Sequence, residues 1–350
     1  MKNILVTGGA GFIGSHTCYH LLEKGYEIFS IDSYINSSRE SLKRINKLFA
    51  RNKNFQNKLN VYEGDLRDED FLNKIFKEAI NDKKRIDAVI HFAGLKSVKE
   101  SIYNPLLYWD ANVNSSINLL KVMAKYECKK IVFSSSATIY GQSKKLKIDE
   151  NCILKPINPY GTTKMVIEKL LSNLNTKSEA DWKIANLRYF NPIGAHSSGL
   201  IGELPLGVPN NIFPFITNVA LGNFDELRIF GNDYDTKDGT GIRDYIHIMD
   251  LAEGHTRTLE YLNNNESQTL NMNIGTGSAV SVLDLVNTFQ EVNKIKIPYK
   301  FVQRREGDVE RLVADNTLMK STLNWTPKKN LVDMCRDGWK WHSNNTKGYF

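Results

Sequence analysis

Tyr160 and Lys164 are four residues apart, so on a helix they share one face. That pair can make a general base. A tyrosine at its ordinary pKa of about 10 is a poor base near neutrality, and a neighbouring ammonium stabilises its phenolate. Lowering the pKa by about 3 units corresponds to roughly 4 kcal/mol of differential stabilisation. A lone Y-x-x-x-K is usually a surface accident. Here the run Ser134-Ser135-Ser136-Ala137-Thr138 ends a β-branched stretch, and Ser136, 24 residues before Tyr160, adds a hydroxyl that can relay a proton.

A second constellation stands at the other end of the same half. Thr7-Gly8-Gly9-Ala10-Gly11-Phe12-Ile13-Gly14 follows an apolar run and opens a helical pattern. It reads as G-x-G-x-x-G from Gly9 and as G-x-x-G-x-x-G from Gly8. One glycine permits the tight turn, one lets backbone approach a pyrophosphate, and one lets helix pack on strand. The helix N-terminus offers free N–H groups and a positive dipole end to phosphates. Asp32, 18 residues beyond Gly14, ends the next apolar run. A carboxylate there accepts ribose hydroxyls and repels a 2′-phosphate, which favours NAD over NADP. Asp65 follows the third run, where it either reaches the adenine or caps the next helix. With NAD bound, Tyr160, directly or through Ser136, takes a proton from a substrate hydroxyl as hydride leaves the same carbon.

The elements that must position these groups alternate. Strands are expected at 3–7, 27–32, 59–62, 88–92, 131–134 and 184–188, with helical patterns near 13–24, 37–49, 69–80, 106–126 and 162–174. Strand–helix alternation with buried, β-branched strands predicts an α/β fold, a doubly wound parallel sheet of Rossmann type. After about Asn191 the rhythm breaks and Gly and Pro thicken, from Pro192 to Pro214. We expect a NAD-binding domain over 1–190 and a smaller, irregular α/β C-terminal substrate domain over 191–350, with part of the chain returning to the first.

Composition narrows the class. The 350 residues carry 41% hydrophobic and 24% charged side chains, ordinary values for a folded globular chain. No run of 18 apolar residues occurs and the first residues lead into a glycine turn, so neither a membrane span nor a secretory signal is expected. Cys18, Cys128, Cys152 and Cys335 form no C-x-x-C pair and have no activating neighbours, which fits a reducing cytosol. The net charge of +7 is concentrated in Arg39, Lys43, Arg44, Lys47, Arg51, Lys53 and Lys58. Their helical spacing without interleaved aromatics reads as a solvated face, not a nucleic-acid site. His16 and His20 have a metal-like i, i+4 spacing but no third ligand, so no metal is expected. His91, His196 and His247 read as structural, and Trp339 and Trp341 as packing anchors.

At this point the sequence resembles the extended short-chain dehydrogenases, and among them the UDP-glucose (UDP-galactose) 4-epimerases. The resemblance covers nearly the whole chain. It rests on Phe92-Ala93-Gly94-Leu95-Lys96, the serine run through Gly141, Tyr189-Phe190-Asn191-Pro192-Ile193-Gly194-Ala195-His196 and Pro209-Asn210-Asn211. It continues through residues 231–247, Arg304-Arg305-Glu306-Gly307-Asp308, and Trp339, Trp341, Gly348 and Tyr349.

The resemblance implies that Ser136, Tyr160 and Lys164 are catalytic. It implies a NAD site of Gly8, Gly11, Phe12, Ile13, Gly14, Asp32, Asn36, Ser37, Asp65, Leu66, Phe92, Ala93, Gly94, Lys96 and Phe190, with Tyr160 and Lys164 also touching NAD. The UDP-sugar would meet Asn191, Asn211, Arg243, Arg305 and Asp308 as well as Lys96, Ser136 and Tyr160; arginine forks suit a pyrophosphate and aspartate a ribose hydroxyl. The implied reaction is reversible epimerisation at C4 through a 4-keto sugar, with tightly held NAD and a homodimeric protein. Leu312 stands where narrower members carry a tyrosine beside the hexose, so UDP-GlcNAc and UDP-GalNAc are expected substrates too. The related 4,6-dehydratases want an acid–base carboxylate beside the serine, and Ala137-Thr138-Ile139 supply none.

Overall fold

The computed structural model describes residues 2–50, 55, 57–143, 145–176, 180–205, 207, 209, 211–305 and 307–349. Arg51, Lys53, Asn210 and Glu306, named above, lie outside them. The first half alternates as expected: β1 (Asn3–Thr7), α1 (Phe12–Glu23), β2 (Glu27–Asp32), α2 (Arg39–Phe49), β3 (Leu59–Glu63), α3 (Glu69–Asn81) and β4 (Ala88–His91). Then come α4 (Val98–Tyr103), α5 (Pro105–Tyr108), α6 (Ser115–Lys125), β5 (Lys130–Ser136), α7 (Pro159–Asn173) and β6 (Lys183–Tyr189). The 106–126 pattern is not one helix. Pro105 starts a separate turn, and Trp109–Asn114 is wound as a π-helix before α6.

Later elements are shorter: β7 (Asn191–Ile193), α8 (Ile212–Ala220), β8 (Leu227–Phe230), β9 (Ile242–Arg243) and β10 (Tyr245–His247). They are followed by α9 (Ile248–Asn264), β11 (Gln268–Ile274), β12 (Val280–Ser281), α10 (Val282–Asn293), β13 (Tyr299–Val302), β14 (Arg311–Leu312), α11 (Thr317–Leu323) and α12 (Leu331–Asn344).

Seven strands form one parallel sheet in the order β11-β6-β5-β4-β1-β2-β3. Strands β1, β4 and β5 are apolar on both faces because helices cover both. On one side Ile4, Val6, Ile90 and Val132 pack with Leu21, Leu251 and Leu259 of α1 and α9. On the other, Leu5, Val89, Ile131 and Phe133 pack with Leu72, Leu119 and Ile167 of α3, α6 and α7. Strand order reverses between β1 and β4, and such a switch point opens a crevice at the carboxyl ends of the strands. A separate apolar cluster around Phe213, Phe289 and Met334 supports the shorter strands. Among the described residues no helix is long and apolar enough to cross a membrane.

Candidate active site

The crevice at the switch point is a cleft of about 370 Å³ that joins the two constellations. Its floor is the glycine turn. Gly8 has a φ of +69°, and a Cβ there would lie 2.7 Å from the Ala93 nitrogen. A Cβ on Gly14 would lie 2.2 Å from the Gly8 carbonyl oxygen, so α1 reaches β1 only because that position is bare. These two glycines make a backbone-lined cradle at a helix N-terminus, which suits a pyrophosphate.

Asp32, at the end of β2, is aimed before any ligand arrives. Its Oδ2 accepts from Ala10 N at 2.9 Å, and its Oδ1 accepts from Tyr34 N at 2.9 Å and Ser37 Oγ at 2.7 Å. Ser37 therefore positions the carboxylate and lies outside the cleft lining, in a small side cavity, whereas Asn36 lines both. Asp65 does not cap α3, since Asp68 accepts from Phe71 N at 3.0 Å. Its carboxylate is gripped by Arg67, with Nη2 at 2.6 Å, while Leu66 is buried beside the cleft.

The loop after β4 forms the opposite wall. Ala93, Gly94, Lys96 and Phe92 all line the cleft. Asn112, in the π-turn, fastens this loop to α7: its Oδ1 accepts from Leu95 N at 2.7 Å, and its Nδ2 donates to Leu95 O at 3.1 Å and to Thr163 Oγ1 at 3.2 Å. Sequence reasoning missed Asn112, because a π-turn inside a long apolar pattern has no local signature.

Ser136, Tyr160 and Lys164 meet at the far end of this cleft. Asn158 caps α7 by accepting from Gly161 N at 2.8 Å, with Pro159 at the first helical position, which fixes where Tyr160 points. Burial raises the Tyr160 phenol above its ordinary pKa, and the Ser136 hydroxyl beside it works the other way. The Lys164 ammonium donates to the Ser134 carbonyl at 2.7 Å and lies 6.0 Å from the Tyr160 ring centre. Lys164 is itself pushed down to about 8 by desolvation, with Glu168 one turn later opposing the shift. Thr138 Oγ1 donates to Ser136 Oγ at 2.9 Å, leaving the serine proton free for another acceptor.

The remaining wall comes from the second half. Phe190, Asn191, Asn211, Arg243 and Leu312 line the cleft. The Asn191 Oδ1 is buried without a partner, and Asn211 precedes α8 without using its side chain to cap it. Both amides are therefore available to a ligand. Leu312 on β14 pairs with Arg243 on β9, and one buried carboxylate locks the two strands: Asp244 accepts from Thr276 N, Gly277 N and Ala314 N at 2.9–3.2 Å. Asp244 also escaped sequence reasoning. Arg305 and Asp308 do not line the cleft among the described residues. Arg305 lies over the Phe230 ring at 4.4 Å, and Asp308 is 4.0 Å from Arg243.

The histidines point elsewhere. His16 Nδ1 bonds the Phe12 carbonyl at 2.7 Å, and His20 Nδ1 pairs with Thr256 Oγ1 at 2.9 Å, so the two do not converge.

A doubly wound sheet with a glycine cradle at one end of its crevice and a Ser-Tyr-Lys trio at the other defines an extended short-chain dehydrogenase. A family model described as GDP-mannose 4,6 dehydratase matches residues 5–338. UDP-glucose 4-epimerase 2 of Arabidopsis thaliana is 49% identical over 348 residues, covering 99% of this chain and 97% of that one. The crystal structure of UDP-glucose 4-epimerase from Bifidobacterium longum in complex with NAD+ and UDP superposes with a TM-score of 0.91 at 42% identity, over 99% of this chain and 100% of that one. The UDP-Glc/GlcNAc 4-epimerase of Campylobacter jejuni gives a TM-score of 0.82 at 32% identity, over 98% and 100%. The chain belongs to the UDP-glucose 4-epimerase family. The dehydration in the family model's description needs an acid beside the serine, yet Ser136 is followed by Ala137 and Thr138, and among the described residues the carboxylates lining the cleft are Asp32, Asp65 and Glu203.

Proposed function

We propose that this protein interconverts UDP-glucose and UDP-galactose by inversion at C4, with NAD as a resident cofactor. The observation that carries this reading is the convergence, in one cleft, of the glycine cradle, the Ser136–Tyr160–Lys164 trio and the unpartnered amides of Asn191 and Asn211. Gly8, Gly11, Phe12, Ile13, Gly14, Asp32, Asp65, Leu66 and Lys96 would hold the dinucleotide, and Phe190 would pack near its reactive ring. NAD supplies a place for the C4 hydride, which returns to the other face.

The chain's residues handle the proton and the orientation. Tyr160 takes the C4 hydroxyl proton, directly or through Ser136, and later gives it back. Lys164 supplies positive charge at the phenolate side against the burial that raises the Tyr160 pKa, and a bound cofactor's positive ring would add to it. Asn191, Asn211 and Arg243, with Asp308 beside Arg243, grip UDP while the 4-keto hexose turns over, and Arg305 would have to leave the Phe230 ring to join them. No net redox change results.

Leu312 faces the cleft with Phe190 and Ala137 beside it. A leucine is shorter than the tyrosine of narrower relatives, so the pocket takes a 2-acetamido group and UDP-GlcNAc/UDP-GalNAc are substrates as well. The partner is a second copy of the chain: Ile102, Tyr103, Leu106, Leu107 and Trp109 form an exposed apolar stretch on α4, α5 and the π-turn, larger than solitary surface residues explain. Four free cysteines, three of them buried, fit a reducing cytosol.

The test is incubation of the purified protein, with no NAD added, separately with UDP-galactose and UDP-GalNAc, following C4 epimers by NMR. Conversion of both is expected. Conversion of UDP-galactose alone removes the acetamido reading, and conversion of neither, even with NAD added, removes the epimerase reading.

A further inference from the structure

Residues 196–204 form a loop over the glycine turn. Gly202, Glu203 and Leu204 face Gly11 and Phe12 across a cavity of only about 30 Å³, room for a water and not for a nucleotide. The Glu203 carboxylate is buried and reaches Lys96 Nζ at 3.4 Å, while the lysine is mostly exposed. Glu203 and Lys96 also line the main cleft, so this loop is its outer wall at the phosphate end.

What holds the wall comes largely from a distant stretch, residues 340–349. The Tyr349 hydroxyl accepts from Gly202 N and donates to Gly202 O, both at 3.1 Å. Trp341 Nε1 donates to Glu203 O at 2.9 Å, Asn345 Nδ2 to Gly199 O at 2.9 Å, and Lys340 Nζ to Ser197 O at 2.6 Å. Fit is close as well: a Cβ on Gly202 would lie 2.3 Å from the Trp341 ring, and one on Gly348 would lie 2.5 Å from Leu204. Arg44 of α2 closes the arrangement from the cofactor-binding half. Its Nη1 donates to Asn345 Oδ1 at 2.5 Å and to Leu200 O at 3.3 Å, and its guanidinium lies 5.0 Å from the Tyr349 ring centre.

We propose that residues 340–349, locked by Arg44, are a clasp that keeps the 196–204 wall shut on the dinucleotide and so makes NAD non-exchangeable. The inference rests on the NAD-dependent reading above. A dinucleotide seated on the turn has this wall on its open side, and its release requires the wall to lift. An isomerase that regenerates its cofactor every cycle gains nothing from exchange, and a clasp away from the Ser136–Tyr160 end can hold NAD without touching the reacting atoms.

The experiment uses the holoprotein and two readouts besides turnover: bound NAD per chain after denaturation, and the rate at which the fluorescent analogue ethenoadenine-NAD replaces it. In Tyr349→Ala/Asn345→Ala, exchange is expected to accelerate tenfold or more and the protein to purify with less than one NAD per chain. Its turnover at saturating added NAD should stay within about twofold of wild type, because neither side chain touches the trio. Should that variant not fold, Tyr349→Phe removes only the hydroxyl and its two bonds. Its expected acceleration is fivefold or more, since about fivefold is the usual net weight of just one of those two hydrogen bonds. Unchanged exchange in folded variants, with wild type retaining NAD, overturns the clasp alone. A wild type that neither contains NAD nor epimerises with NAD added overturns the functional reading and the clasp with it.

Discussion

Lys164 shows how far a single side chain can be held against its own preference. Its ammonium is buried against the Phe133 ring at 4.8 Å, with the Ser134 carbonyl as acceptor, and its pKa falls from 10.5 to about 8. Between those values the unfolded chain binds a proton that the folded chain does not, so stability rises with pH across that window. Below pH 8 the buried charge costs roughly 3 kcal/mol. Lys164→Met is therefore expected to cut turnover by about 10²-fold or more, while the melting temperature at pH 7 stays level or rises. A drop of several degrees would show that the lysine is structural. Leu312 poses the complementary question of room. Leu312→Tyr should lower kcat/KM for UDP-GalNAc at least tenfold and leave UDP-galactose within about threefold, since added bulk strikes only the 2-acetamido group; equal losses on both would refute the pocket argument.

At the scale of elements, legibility followed burial. Strands β1, β2, β4, β5 and β6 were readable because each is a nearly continuous buried run, and β2 and β5 end in Asp32 and Ser136, so half of the candidate site could be placed from periodicity and glycine spacing; β3, half-exposed, was readable only from its place in the alternation. The other half rides on pieces too short to have a period. Arg243 and Leu312 sit on two-residue strands 69 positions apart, joined through the Asp244 carboxylate, and only the family resemblance pointed to them. β11 was not among the expected strands. Asn271 and Asn273 interrupt its apolar pattern, and their amides are used inside: Asn273 Oδ1 accepts from Tyr140 OH at 2.7 Å, and Asn271 Oδ1 from Asn186 at 2.7 Å. The long 106–126 pattern misled in another way, because Leu106 at 82% exposure and Leu107 at 43% belong, with Tyr103 just before them, to an apolar surface and not to the core. If a second copy covers it, sedimentation of wild type will give twice the chain mass, and Tyr103→Glu/Leu106→Glu will shift it to one chain with the fold intact. A wild type that sediments as a single chain at micromolar concentration ends that reading.

Across the whole molecule, six histidines share one condition. His16 and His91 are pushed down to about 3, and His20, His196, His255 and His342 to about 4, each mainly by burial. They are spread over α1, β4, α9, α12 and the loop above the glycine turn, so their protonation loads every layer at once. An unfolded histidine takes up its proton near pH 6.5, whereas these six refuse theirs until far lower. Between the two the unfolded chain binds more protons, so stability present above pH 6.5 is lost on acidification. With nearly all six charged in the unfolded state at pH 5.5, the slope is about 7 kcal/mol per pH unit. A total stability of about 5–15 kcal/mol is then exhausted between about pH 6 and 4.5, at or above the ordinary carboxylate range. Cooperative acid unfolding is expected with a midpoint between about pH 4.5 and 6, followed by tryptophan fluorescence, together with uptake of about five protons measured by pH-stat. Replacing one of the six by a neutral side chain of similar size, as in His342→Gln, should lower that uptake by about one proton and move the midpoint to lower pH. A wild-type midpoint below about pH 4, or an unchanged uptake in the variant, would mean that the carboxylates and not the histidines set the acid limit of this fold.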